Sequence, residues 1–311
     1  MGQNSKIQWC DYTFNPWIGC TKVSPGCVNC YASVSTAARS RKIVWGPGQP
    51  RQRTAPENWK LPLQWNRQAQ MMPLQCLTCG QRFSGAQIEA LHVCPVCKTV
   101  PRVHLPRVFC ASLADWLDEE VPIAWLADLM QLIHQTPCLN WLLLTKRPHN
   151  WKLRLVDAYK SLPARAPHYG MLRDWLLGTA PLNVQLGTTV EDQQRAWKRW
   201  PQLMRLPAAG HFISMEPLLE AVDLVGLTLP NWVIVGGESG PNARPCNVEW
   251  IRSIRDQCQP TTTAVFIKQL GSRCLGKAGR LPLKDPKGGN PLEWPADLRV
   301  RQLPHHDQPL A

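Results

Sequence analysis

The sequence predicts an α/β fold, a partial or full β/α barrel, and two observations carry that expectation. Short apolar runs recur along the chain, each ending in polar or glycine residues and most followed by a stretch with helical apolar spacing. Strands that alternate with helices pair in parallel, because a parallel neighbour is reached only through a long crossover connection. The second observation is where the polar residues fall. Asp115, Lys146, Arg147, Glu191, Glu216, Glu238 and Lys268 lie at or just past the C-terminal ends of apolar runs. In a β/α barrel those ends converge on one face, where active sites are built.

Taken in order, Arg107–Asp115 is the first run, and Val121–Gln135 follows with helical spacing. Trp141–Thr145 comes next and leads into Lys146 and Arg147, with Pro148 ending the strand. Asn183–Glu191 precedes the helical stretch Asp192–Met204. Phe212–Pro217 contains Ser214 and Glu216, Trp232–Gly240 contains Gly236, Gly237 and Glu238, and Ala264–Gln269 contains Lys268. A single charged strand end marks only where solvent begins. Six runs that each end in a charge or a polar triplet are better explained by a shared pocket. The Gly236–Gly237 pair reads as a tight turn that lets backbone amides approach a ligand.

At 311 residues and 44% hydrophobic composition, the chain can bury one large domain, or one plus an insert. No apolar run approaches the ~20 residues of a bilayer span. The first residues are polar, with no apolar core of a secretory signal, so the expected location is cytoplasmic. The expected organisation is a cluster loop and basic Trp/Arg-rich segment over 1–70, a zinc-ribbon insert over 71–101, the barrel body over 102–271 and a Pro/Gly-rich tail over 272–311.

Thirteen cysteines in a chain of this length do not read as a secreted disulfide scaffold, because they fall into sets with metal-ligand spacing. Cys20, Cys27 and Cys30 form C-x6-C-x2-C, with Pro25 and Gly26 turning the backbone before Cys27. Three thiolates from one short loop suit an iron–sulfur cluster that leaves one iron free of protein ligands, where S-adenosylmethionine can bind; a structural zinc ion takes a fourth ligand close by. Cys76, Cys79, Cys94 and Cys97 form C-x2-C-x14-C-x2-C, which matches a closed tetrahedral zinc site, although a four-cysteine iron site fits the same spacing. The six single cysteines read as small buried hydrophobes.

Net charge is +13 and uneven. Arg39, Arg41, Lys42, Arg51, Arg53, Lys60 and Arg67 face only Glu57 within that stretch, with Trp45, Trp59 and Trp65 interleaved and prolines expected to keep the segment extended. It reads equally as a surface for single-stranded or flipped-out nucleotides and as a solvated basic loop whose tryptophans pack on the barrel. The tail from Gly271 is expected to bury little, with Leu275–Trp294 extended along the barrel and His305 and His306 in solvent.

Several segments together resemble the phage-associated three-cysteine-motif family, proteins of unknown function related to radical S-adenosylmethionine enzymes. They are Thr13–Cys20, Lys22–Ala32, Leu143–Pro148, Ser214–Leu218 and Val235–Gly240. The resemblance implies a barrel of radical S-adenosylmethionine type, with Cys20, Cys27 and Cys30 as ligands of a [4Fe–4S] cluster whose fourth iron chelates S-adenosylmethionine. One-electron reduction would then release a 5′-deoxyadenosyl radical that abstracts hydrogen from substrate. The chain departs from the usual C-x3-C-x2-C pattern by three residues in the first gap, has Asn29 before the last cysteine, and carries its Gly-Gly-Glu element late.

The expected function is thus an iron–sulfur, radical S-adenosylmethionine-like enzyme acting on a nucleic acid or nucleotide, in base modification or lesion reversal. Ser214, Glu216, Gly236, Gly237 and Glu238 are the expected cofactor-binding residues. Glu191, Glu216 and Lys146 are the catalytic candidates, while Lys146, Arg147 and Lys268 would hold anionic groups. An electron donor is required, and a separately encoded partner protein is a further expectation. The alternative is a non-catalytic, metal-stabilised protein that binds nucleic acid or mediates a phage–host interaction. A ring of polar strand ends, which a binding scaffold does not need, separates the two.

Overall fold

The computed structural model describes residues 5, 7–71, 73–75, 82–84, 96 and 105–304. Its centre is a seven-stranded, all-parallel sheet. The strands are β1 (Tyr12–Phe14), β2 (Arg107–Cys110), β3 (Asn140–Thr145), β4 (Val184–Thr189), β5 (Gly210–Met215), β6 (Trp232–Gly236) and β7 (Ala264–Gln269). Within this sheet each strand pairs with its neighbours in chain order. The six expected runs are all strands; β1 is a three-residue edge strand that periodicity did not disclose.

Side-chain alternation curls this sheet. Trp9, just before β1, sits with its ring centroid 4.5 Å from Phe109 of β2, 6.4 Å from Phe212 of β5 and 6.0 Å from Trp232 of β6. In a flat sheet β2 and β6 would lie about 19 Å apart. One indole reaches both only because the sheet closes around it into a half-barrel. Leu142, Ile234 and Phe266 complete this inner aromatic floor. Gly187 makes room for it: a Cβ there would lie 2.3 Å from the Phe212 ring.

The opposite face of each strand packs under helices. Val108, Trp141, Leu143, Leu186, Ile213, Val233 and Ile267 join the larger core. Helix α1 (Pro56–Met71) leads to α2 (Ile123–His134), α3 (Trp151–Ser161), α4 (Tyr169–Leu176), α5 (Gln193–Met204) and α6 (Val248–Cys258). Asp192 caps α5 by accepting from the Arg195 N–H, and Asn247 caps α6 through the Glu249 N–H. Buried on both faces, β3 reads Asn-Trp-Leu-Leu-Leu-Thr, the continuous run expected of a parallel strand covered on both sides.

Two expectations are corrected. The basic segment is not extended throughout: Pro47 and Pro50 lie in non-helical chain, but Pro56 starts α1, whose first turn needs no N–H from it, and Pro62 is accommodated within the helix. The tail does not bury little. Trp294 is 2% and Leu298 0% exposed. Beyond them the chain lies antiparallel to β7, with the Ile267 N–H donating to Val300 O at 2.9 Å and the Gln302 N–H to Val265 O at 2.8 Å. An open sheet edge would otherwise be available for pairing with another chain, and the tail covers it.

Of the expected zinc insert, Pro73–Gln75 and Arg82–Ser84 pair as an antiparallel ladder. Cys76, Cys79, Cys94 and Cys97 lie outside the described residues, as do His305 and His306. Among the described residues no helix is long and apolar enough to cross a membrane.

Candidate active site

Above the aromatic floor, at the C-terminal ends of the strands, the half-barrel opens into a cavity of about 900 Å³, part of it open to solvent. Cys20, Cys27 and Cys30 all line it. So do Lys146, Arg147, Ser214, Glu216 and Lys268, which the strand ends bring to the same wall space. Glu191, Gly236, Gly237 and Glu238 are not among its lining residues.

The cysteine loop crosses this mouth after β1, held by buried charges from four strand ends. Gly19, at φ +113°, turns the chain into Cys20 in a conformation open to glycine. Asp115, beyond β2, accepts from Thr145 Oγ1 at 2.7 Å, from the Lys146 N–H at 2.8 Å and from Arg147 Nη1 at 3.0 Å. Arg147, only 2% exposed, donates onward to Thr21 O at 3.0 Å and lies 3.6 Å from Cys20 Sγ. Glu191, beyond β4 and fully buried, pairs with Arg199 at 2.9 Å and accepts the Gly26 N–H at 3.2 Å. A Cβ on Gly26 would lie 3.2 Å from that carboxyl group, so glycine permits the approach.

Glu238, beyond β6, forms the third clamp. It accepts from Arg244 Nη2 at 2.7 Å, from Arg244 Nε at 3.0 Å and from Asn29 Nδ2 at 3.0 Å. Arg244 also donates to Pro25 O at 2.9 Å, so both sides of the Cys27 turn are fastened to one carboxylate–guanidinium pair. Burial disfavours the Glu238 anion, but the Arg244 and Asn29 hydrogen bonds outweigh it and hold the carboxyl below its ordinary range. Tyr31 Oη donates to Ser112 O at 2.8 Å and ties down the loop's far end.

A second set of groups faces the cavity itself. Lys268 Nζ lies 2.7 Å from Glu216 Oε1, and Ser214 Oγ donates to Glu216 Oε2 at 3.3 Å. Among the described residues the Lys146 ammonium meets no carboxylate. Thr189 Oγ1, Trp9 Nε1 and Trp45 Nε1 are buried atoms of cavity-lining residues and have no hydrogen-bond partner among the described residues. Buried polar atoms are nearly always paired, so three orphans around one cavity mark a place for a ligand or ordered water.

The thiols differ. Burial, reinforced by Asp115 and opposed by Arg147, pushes Cys20 up to about 12. Burial also opposes ionisation of Cys27, but the Lys146 ammonium, hydrogen bonds at Val23 and Ser24, and the Ser24 hydroxyl outweigh it, so this thiol titrates below its ordinary value. No group of three or more His, Cys, Asp or Glu among the described residues converges on a point that could hold a single metal ion.

The structure thus brings Lys146, Arg147, Ser214, Glu216 and Lys268 to one cavity wall, and it turns Glu191 and Glu238, also at strand ends, onto the cysteine loop. Gly236 and Gly237 serve packing. A Cβ on Gly237 would lie 2.3 Å from Leu270 O, and the Gly237 N–H donates to Gln269 O at 3.1 Å. Thr189, Arg199 and Arg244 had no sequence signal, since each acts through a partner that only folding brings near. In the basic segment, Trp65 is 1% exposed and stacks on Tyr12 at 4.4 Å, while Arg51 is buried against Asp118 at 2.9 Å. Trp45 alone of its three tryptophans reaches the cavity, and Arg39, Arg41, Lys42, Lys60 and Arg67 remain exposed.

No curated protein and no solved structure matches the chain. Over residues 4–285 it matches the family described as protein of unknown function (DUF5131), and to that family the chain belongs.

Proposed function

We propose that the chain is an iron–sulfur enzyme of radical S-adenosylmethionine type that acts on a nucleic acid or nucleotide. The observation that carries this reading is the placement of Cys20, Cys27 and Cys30 on one cavity at the C-terminal mouth of a parallel half-barrel. The three thiols come from one short loop and share one cavity wall, which suits a cluster that takes one thiolate per iron. Held by Cys20, Cys27 and Cys30, a [4Fe–4S] cluster with S-adenosylmethionine would supply one-electron chemistry.

The chain's own residues do the rest. Lys146 favours the Cys27 thiolate, and Arg147 offers a charge-assisted contact to Cys20. The clamps from Glu191 and Glu238 fix the backbone of the loop before any ligand arrives. Ser214, Glu216 and Lys268 present a hydroxyl, a carboxylate and an ammonium to the ligand, suited to amino, carboxylate or hydroxyl groups. The Trp9 and Phe109 floor excludes water from below. Cys76, Cys79, Cys94 and Cys97 are assigned to structural zinc on their spacing.

Protein purified without oxygen tests this. The expected result is about four irons per chain together with zinc, and 5′-deoxyadenosine on dithionite reduction with S-adenosylmethionine, lost in Cys27→Ala. Zinc alone, with no cluster after reconstitution and no cleavage, overturns the reading in favour of a metal-stabilised binding protein.

A further inference from the structure

Many arginines among the described residues are neutralised by a carboxylate. Arg51, Arg53, Arg107, Arg147, Arg199 and Arg244 each meet a carboxylate, and Arg252 and Arg255 share Asp297. Among the described residues other cations, Arg39, Arg41 and Lys42 included, stand exposed without a carboxylate, and one bank of them is concentrated late in the chain. Between Gly271 and Asn290 the chain carries Arg273, Lys277, Arg280, Lys284 and Lys287, and every one is exposed. Among the described residues none of the five reaches a carboxylate within ion-pair distance. The stretch has one acidic residue, Asp285, and its carboxylate is turned onto the Lys287 and Gly289 N–H groups at 2.7 and 3.1 Å.

These cations stand on a fixed platform. Cys274–Gly276 pairs antiparallel with Gly279–Arg280 and parallel with Cys246–Asn247. Cys274 is buried, Leu281 and Leu283 pack on the main core, and Trp294 Nε1 donates to Gly288 O at 2.9 Å beneath the loop. Arg273, Arg280 and Lys287 line one side-open groove of about 910 Å³ with Gly240, Pro241 and Pro286. Clustering like charges without counter-charges is unfavourable for the isolated fold, so such a bank is arranged for an anion that comes from outside.

Its position relative to the cavity is set by a short chain of hydrogen bonds. The Ser272 N–H donates to Glu238 O at 2.8 Å, and Glu238 in turn holds Asn29 between Cys27 and Cys30. On the other side of the mouth, Arg39, Arg41 and Lys42 precede Trp45, which lines the cavity, and the Gly46 N–H donates to Cys20 O at 3.2 Å. Exposed, unpaired cations thus flank the mouth from the β1 side and from the β6–β7 side.

We propose that the Arg273–Lys287 bank is a docking surface for the phosphodiester backbone of a nucleic acid, which lays the strand across the mouth so that one nucleotide can enter the cavity. Regularly spaced phosphates satisfy several separate cations at once, which a small anion or a single carboxylate cannot do. Entry of one nucleotide from a strand held by its backbone is the geometry of base flipping. The proposal deepens the nucleic-acid half of the function proposed above and does not depend on the cluster.

The test is fluorescence-anisotropy binding of a labelled 20-mer, as single strand and as duplex, to the full chain across a salt series. Arg273→Gln/Lys277→Gln/Lys287→Gln removes three charges whose side chains make no hydrogen bond or ion pair among the described residues. This variant is expected to bind about tenfold or more weakly near physiological salt, with the slope of log K against log salt reduced by about two. Lys152→Gln/Lys160→Gln/Lys198→Gln, on helices α3 and α5, is expected to bind as the parent does. Unchanged affinity and slope in the first variant, or an equal loss in the second, overturns the assignment. Binding to phosphatidylserine vesicles but to neither oligonucleotide overturns it as well. Because binding is read with and without reconstituted cluster, absence of S-adenosylmethionine cleavage leaves this result standing, and failure to bind leaves the iron content standing.

Discussion

The charged strand ends of this half-barrel fall into two rings that differ in what they face. Asp115–Arg147, Glu191–Arg199 and Glu238–Arg244 are internal pairs, and each also hydrogen-bonds the loop that carries Cys20, Cys27 and Cys30. Lys146, Ser214, Glu216 and Lys268 face the cavity, Asp115 and Arg147 belong to both sets, and Thr189, Trp9 and Trp45 add unpaired polar atoms there. The same kind of residue at the same kind of position thus does two jobs. Charges that hydrogen-bond the cysteine loop fix its geometry, whereas the Lys268–Glu216 pair and the Lys146 ammonium face the cavity and are available to a ligand. Building the first ring is what allows the second to be preorganised.

The largest effect should come from breaking a clamp in the interior. Glu191→Ala leaves the buried Arg199 guanidinium without its carboxylate and frees Gly26, so stability should fall by about 3–5 kcal/mol and the melting temperature by roughly 10 °C. A variant that melts with the parent would show that the outer ring is not structural, and the contrast would fail.

A milder break comes from acid. The Glu238 carboxyl titrates below its ordinary value in the folded chain, so its contribution is fully present above the unfolded pKa and is lost as pH falls through the folded one. Protection of the Gly26–Cys30 amides, measured against their intrinsic exchange rates, should therefore fall as the pH drops below 4.5, the ordinary value for a glutamate. Glu238→Gln should show faster exchange at neutral pH and a flattened acid limb. Exchange indifferent to both changes would detach Glu238 from the loop.

The smallest stability effect belongs to the inner ring. Lys268→Met removes a partly exposed pair with Glu216 and should change stability by no more than about 1 kcal/mol. Formation of 5′-deoxyadenosine should nonetheless fall about a hundredfold. If Lys268→Met instead destabilised the chain as much as Glu191→Ala, the two rings would be one structural network.

Much of this architecture is legible without a structure because it depends on local chemistry. Runs such as Trp141–Thr145 and Ala264–Gln269 are apolar on both faces and short, which only a covered parallel strand tolerates. β1 was missed because three residues show no period, and α1 because its prolines read as breakers, whereas at a first helical position a proline costs nothing. Trp65 read equally as a recognition residue and as one packed on the barrel, and its place on α1 stacks it on Tyr12.

The sequence by itself determined the strand–helix alternation, the grouping of three cysteines on one loop and the set of polar residues at strand ends, since each follows from spacing along the chain. The tertiary structure alone decided which of those residues grip the loop and which face the cavity. Gly26 meets Glu191 across 165 positions and Asn29 meets Glu238 across 209. Whether a charge is paired is a property of what folding brings beside it, and over such separations the order of residues carries no record of the partner.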